Sequence, residues 1–156
     1  MRRAARAIII KDNQLLVTKR NKFGSEYYIL IGGGIDRGET EIEALYRELK
    51  EESGVQFANP RLVFTENAGI MYGLQNIFLC DYVSGEPMLN PDSTEAKISA
   101  LGKNTYETVW LPLEQLEQVP FRSEGLRQAI LRGVKQGFPA EPEDITTYQH
   151  NIFRKA

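Results

Sequence analysis

The sequence predicts an α+β fold in which helices cover a mixed sheet. Runs rich in β-branched and aromatic residues, such as "AIII", "EYYILI" and "NIFLCDY", recur along the chain as strands do. Residues 39–53 and 123–137 carry helical patterning instead. One of these helices falls near the middle of the chain and the other near its end, with strands around them.

"RAARAIII" and "QLLVTKR" flank the polar turn "KDN" and read as two strands of a hairpin. "EYYILI" is a third strand, ended by Gly32, Gly33 and Gly34, and a loop follows to Gly38. Residues 39–53 contain strong helix formers and no proline, with Gly54 placed as the terminator. "RLVFTEN" and "LQNIFLCDYV" are further strands, and "AGIMYG" between them fits a long hairpin. Residues 84–105, with two prolines and several turn formers, read as a long loop, a length that marks function or disorder. "YETVWLPL" is a last short strand, after which Pro112 leads into a helical turn, "LEQLEQ". In 123–137, Leu126, Ala129, Ile130, Leu131 and Val134 form an amphipathic stripe, with Gly137 as its stop. There is no internal repeat. A single domain over 1–137 and a peripheral tail over 138–156 is the expected organisation.

Composition narrows the chemistry. The 156 residues suit one domain with one core. No run approaches the roughly 18 apolar residues of a membrane span, and the basic start has too short an apolar part for a signal peptide, so the cytoplasm is the expected location. Cys80 is the single cysteine, placed in a strand and expected to be buried. His150 is the single histidine, too few for a Ser–His–Asp triad or a multi-histidine zinc site. A net charge of −2 gives no general attraction to nucleic acid.

The predicted first helix poses a physical question. At about 100° per residue, Glu48, Glu51 and Glu52 share an arc of roughly 100°. Leu45, Leu49, Ile42 and Tyr46 occupy the adjoining arc, expected to face the sheet. The carboxylates thus lie at the edge of the buried side, where they repel one another and oppose the helix dipole. A hard divalent cation such as Mg²⁺ or Mn²⁺, which takes oxygen ligands, accounts for that placement. Arg47 can pair with a carboxylate of the preceding loop, Glu39 being the nearest. Taken alone, the helix fits a metal site or a solvated acidic face equally well.

Gly33, five residues, Glu39, seven residues, then Arg47-Glu48-Leu49-Lys50-Glu51-Glu52-Ser53-Gly54-Val55 resemble the Nudix box at every fixed position. At average composition such a match arises by chance well below ~10⁻⁶ of the time. The resemblance implies a Nudix-type α/β/α sandwich and a Mg²⁺- or Mn²⁺-dependent pyrophosphohydrolase. Its substrate would be a nucleoside diphosphate linked to another moiety: a nucleoside triphosphate, dinucleoside polyphosphate or nucleotide sugar. By position, Glu48, Glu51 and Glu52 would be metal ligands, Glu39 would orient Arg47, and Gly33 would bring a backbone carbonyl near the metal. A small-molecule nucleotide partner and a homodimer are implied with it. The alternative is a Nudix fold used as a ligand sensor or protein-binding module.

Two positions depart from the family pattern. Ile31 stands where many members have proline, and Asn104 stands six before Trp110, where many have an acid. The general base is therefore assigned within the box, to Glu52 or Glu48, with Glu95 and Glu107 as alternatives. Arg6, Lys19, Arg20 and Lys22 are candidate phosphate contacts. Tyr27, Tyr28, Phe23 and Tyr72 are candidate stacking residues. Ordinary surface charge and strand core remain open readings of these.

Overall fold

The computed structural model describes residues 2–147; His150 and the tail beyond Thr147 lie outside the described residues. Strands β1 (Arg3–Lys11) and β2 (Gln14–Lys22) are joined by a tight turn with Asp12 and Asn13 at positive φ, a conformation that short polar side chains tolerate. They pair only next to this turn, at Ile10–Leu15 and Lys11–Gln14. Beyond it they splay, and β3 (Ser25–Gly34) enters between them, antiparallel to both. With β4 (Gln56–Asn67), β5 (Leu74–Ser84), β6 (Asn104–Pro112) and a two-residue β7 (Glu143–Asp144), they make one sheet of order β6-β2-β3-β1-β5-β4-β7. β1–β5 and β4–β7 are parallel and the other pairings antiparallel, so the sheet is mixed as expected.

Helix α1 (Glu41–Glu52) covers one face. Thr40 caps it in a reciprocal capping box with Glu43, and Gly54 leaves it at φ +68°. Ala44, Leu45 and Leu49 pack there on Ala5, Ala7, Ile9, Ile31, Phe78 and Cys80. Burial pushes the Cys80 thiol up to about 12, consistent with an inert core cysteine. A short 3₁₀ turn, Leu113–Gln115, follows β6. Helix α4 (Glu124–Gln136) covers the opposite face through Leu126, Ala129 and Ile130, over Ile8, Val17, Leu30, Phe64 and Ile77. The product is the helix–sheet–helix sandwich that the sequence predicts.

Three elements differ from the sequence reading. "AGIMYG" contains one helical turn, α2 (Gly69–Tyr72), and the long loop folds a short helix, α3 (Thr94–Ser99), capped by Ser93. The segment after Gly137 is joined to the domain as far as Thr147 instead of lying at its periphery. β7 extends the sheet beside β4, and Phe138 and Ile145 pack against the core beneath α4. A Cβ at Gly133 would lie 2.4 Å from the Phe138 ring, so glycine leaves the helix surface open for that ring. Phe138→Ala should therefore destabilise the fold by about 2 kcal/mol, less than a fully buried phenylalanine because the residue is only partly buried. Urea unfolding measures it, and a change within about 0.5 kcal/mol would show this segment to be dispensable.

Candidate active site

A cleft beside α1 is lined by residues of β1, β2 and β3. Along α1 the buried residues are Ala44, Leu45, Glu48, Leu49 and Glu52. Ile42 and Tyr46, expected on the sheet side, are exposed, and Tyr46 stacks on Phe57 at 4.3 Å. The helix is rolled by part of a turn relative to the sequence reading. Its two central carboxylates, 7% and 8% exposed, face the cleft and do not border it.

Gly33 makes that orientation possible. A Cβ there would stand 2.6 Å from the Glu48 carboxyl carbon and 2.7 Å from both its oxygens. Gly32, at φ +136°, pairs so closely with β1 that a Cβ would meet the Ala5 carbonyl oxygen at 2.1 Å. The Gly32 N–H points to Glu52 Oε2 at 3.4 Å.

Arg47 ties the site to the preceding loop. Its Nε and Nη2 donate to the two oxygens of Glu39 at 2.7 and 2.9 Å, a bidentate pair. Nη2 also reaches the Gly34 carbonyl and Nη1 donates to Glu48 Oε1, both at 2.9 Å. One guanidinium therefore fixes loop, strand and carboxylate together. Donation from Arg47, supported by the Asp36 N–H, holds the Glu39 carboxyl down at about 2. Because that value lies below the unfolded one, the pair's stabilisation is present above about pH 4.5 and is lost as pH falls through about 2. Glu39→Gln should flatten the acid limb of a stability–pH curve in that window, and an unchanged limb would remove the pair from the acid response.

The third carboxylate comes from the long segment after β5. Met88 N–H donates to the Ser53 carbonyl at 2.8 Å and Asn90 N–H to the Glu51 carbonyl at 2.9 Å, pinning this segment to the end of α1. Ser93 then starts α3 beside the cleft. Oxygens of Glu48, Glu52 and Glu95 lie within 4.8 Å of one another. Burial, then the neighbouring Glu48, raise Glu52 well above its ordinary value, while Arg6 opposes. Two buried acids and a third with oxygens within 4.8 Å of theirs, all hard oxygen donors, fit a divalent cation of the Mg²⁺ class. Glu51, at 38% side-chain exposure, is outside this trio; its carboxylate lies 3.6 Å from Arg47. Burial and Glu48 raise its pKa as well.

Glu48, Glu52 and Glu95 line an inner chamber of about 180 Å³ together with Arg2, Arg6, Thr18, Arg20, Tyr27 and Tyr72. Arg6 braces the cleft, donating to the Leu30 and Gly32 carbonyls at 3.0 and 3.1 Å and to Gln75 at 3.0 Å. Arg20 donates to the side chain of Asn104 and lies 3.7 Å over the Tyr106 ring. The buried Thr18 hydroxyl has no partner among the described residues. Five candidates are not brought in. β3 alternation sends Tyr27 to the chamber and Tyr28 to the other face, where it packs on the core beneath α4. Glu107 is exposed on the edge strand β6 opposite Lys19, away from both acids. Lys19, Lys22 and Phe23 also lie outside the chamber.

A second, larger chamber of about 540 Å³ adjoins the first and shares Arg6, Ile29 and Tyr72 with it. Glu66, Gln75, Arg122 and Ser123 line it. Sequence reasoning missed these four and Arg2. None belongs to a motif, and the turn before α4 meets the end of β4 only through the tertiary fold. Burial raises the Glu66 carboxyl, and the Ser123 hydroxyl that donates to it opposes the shift. No helix among the described residues is long and apolar enough to cross a membrane.

Solved structures share this architecture. A Nudix hydrolase from Nitrosomonas europaea superimposes with a TM-score of 0.67 at 19% identity, over 89% of this chain and 93% of that one. A MutT Nudix hydrolase from Burkholderia pseudomallei gives 0.62 at 23% identity, over 81% and 94%. Among curated proteins, the NAD-capped RNA hydrolase NudC of Vibrio parahaemolyticus is 35% identical over 85 residues, 54% of this chain and 32% of NudC. NudC of Edwardsiella ictaluri is 29% identical over 112 residues, 72% and 39%. The chain thus spans about a third of the length of the curated relatives it matches. The model of the NUDIX domain matches residues 1–132, and on that match, with the fold it requires, the chain belongs to the Nudix family.

Proposed function

We propose that the chain is a Mg²⁺- or Mn²⁺-dependent pyrophosphohydrolase that cleaves a nucleoside diphosphate linked to another moiety. The observation that carries this reading is the convergence of Glu48, Glu52 and Glu95 on one wall of the inner chamber. Glu48, Glu52 and Glu95 would hold the cation, with Glu51 available on the more open side. Bound there, the cation supplies charge neutralisation for the phosphate oxygens and orients an in-line displacement by water.

The chain's own residues do the rest. Arg47, locked by Glu39, keeps Glu48 in place before substrate arrives, so that no reorganisation accompanies the reaction. Arg2, Arg6 and Arg20 line the chamber and balance substrate anionic charge. The proton of the attacking water passes to a carboxylate of the same wall. Glu52 is assigned that role because the helix fixes its position; Glu95 reaches the wall from α3 and is the alternative. The likeness to NudC, named for a nucleotide-capped substrate, supports a nucleotide-type ligand.

A screen over nucleoside triphosphates, dinucleoside polyphosphates, nucleotide sugars, ADP-ribose and NAD-capped RNA, with Mg²⁺ or Mn²⁺ and with EDTA and with the products separated by chromatography, tests the proposal. Turnover of at least one class, abolished by EDTA, is the expected result. Turnover of none by folded protein would overturn it in favour of a non-catalytic ligand sensor.

A further inference from the structure

The outer chamber is built differently from the inner one. Leu30, Ile77 and Leu126 line it, and Ile70 and Met71 on α2 stand 86% and 74% exposed beside it. A flat apolar body fits such walls.

Its polar groups are nearly all spent on one another. Gln75 accepts from Arg6 and donates to the Tyr72 carbonyl at 2.5 Å. Arg122 donates to the Tyr72 hydroxyl and lies 3.7 Å over the Tyr27 ring. Ser123 donates to Glu66 Oε2 while accepting the Leu126 N–H at 3.1 Å. The Asn67 side-chain oxygen accepts from the Gly69 N–H. One acceptor is left over: Glu66 Oε1 makes no hydrogen bond among the described residues and is not fully enclosed, on a residue that lines the chamber and is only 6% exposed. An acceptor that faces an open chamber can exchange water for a ligand's N–H, and it loses by the exchange if the ligand brings no donor.

We propose that Glu66 is a specificity-determining residue, which selects a substrate whose nucleobase carries an exocyclic amine by accepting that amine's N–H in the outer chamber. This deepens the function proposed above and rests on it for the position of the phosphates. A base presenting only a carbonyl at that edge sets oxygen against oxygen and leaves Glu66 unsatisfied. The shared lining of Arg6, Ile29 and Tyr72 lets one nucleotide place its base outside and its phosphates inside. Guanine and adenine both meet the stated chemistry.

The test uses pairs that differ in the amine: guanosine against inosine monophosphate, and adenosine against purine riboside monophosphate. Binding is measured by calorimetry without added metal, so that it reads the base and not turnover. In at least one pair, wild-type protein should bind the amine-bearing member about 10- to 100-fold tighter, the range for one hydrogen bond to a charged group. Glu66→Gln, whose amide oxygen can still take the Ser123 hydroxyl, should bring that ratio to within about twofold. Glu66→Asp, which keeps an acceptor, should retain part of the preference.

Equal binding within both wild-type pairs would overturn the proposal even if neither variant folds. So would a preference untouched by Glu66→Gln, or a loss equal for all four nucleotides, which would mark Glu66 as a structural partner of Ser123 only. Loss of metal-dependent turnover with an intact amine preference would instead overturn the pyrophosphohydrolase reading and leave this one standing.

Discussion

Glu52→Gln should lower metal-dependent kcat by about 10³-fold while leaving the fold intact or more stable. The activity loss follows from the place of Glu52 in the carboxylate trio. Removing a charged ligand forfeits several kcal/mol of charge stabilisation at the phosphoryl group, and about 4 kcal/mol corresponds to three decades in rate. The stability gain has a separate origin. Burial and Glu48 raise the folded-state pKa of Glu52 well above its unfolded value near 4.5. Such a group binds more protons folded than unfolded, so it destabilises the metal-free fold increasingly as pH rises above about 4.5. Glutamine keeps the volume and removes that penalty. The metal-free variant should therefore melt higher than wild type, with a wider gap at pH 8 than at pH 5, and Mg²⁺ should no longer raise its Tm. Undiminished turnover, or a Tm that still rises with Mg²⁺ as in wild type, would remove Glu52 from the metal site.

Gly33→Ala is expected to reduce kcat/KM by about 10²-fold or more, the scale of a misplacement of about 1 Å at a reacting centre. The added methyl would sit 2.6–2.7 Å from the Glu48 carboxylate, about 1 Å inside contact distance, and that side chain must move. Gly33 does not have a positive φ, so alanine fits its backbone and the change acts on the carboxylate alone. Gly32→Ala provides the contrast: its Cβ collides with backbone of β1, and its φ of +136° is one that alanine avoids. That variant should lose folded yield before activity can be compared. If Gly33→Ala retained kcat/KM within twofold, Glu48 would not need the position it occupies here.

Several residues explain how much of this was readable beforehand. Glu39 and Arg47 were paired from sequence because the loop and first turn bring them together locally, and they form a bidentate ion pair. The crowding of Glu48 and Glu52 was legible from helical spacing, yet the roll of α1 was not. Ile42 and Tyr46 share the arc of Leu45 and Leu49, and periodicity alone cannot show that Ala44, Glu48 and Glu52 take the inner positions. β3 alternation separates Tyr27 from Tyr28, but which of them meets the cleft depends on which face of the sheet α1 covers. Along the chain Glu95 and Glu107 were both open as bases outside the box, with Glu95 the first choice. Backbone bonds from Met88 and Asn90 to the end of α1 carry the first to the site, and pairing with β2 holds the second at an exposed edge.

By itself the sequence determined the six longer strands, the two main helices, the family and the carboxylates of α1, because these depend on local periodicity and on spacing within one short segment. The tertiary structure alone decided which side chains share a chamber. Glu95 joining Glu48 and Glu52, and Glu66 meeting Ser123 across 57 positions, rest on the register between strands and on where the loops after β5 and β6 dock. Those contacts are set by packing of one complete core, which no local stretch of the chain encodes.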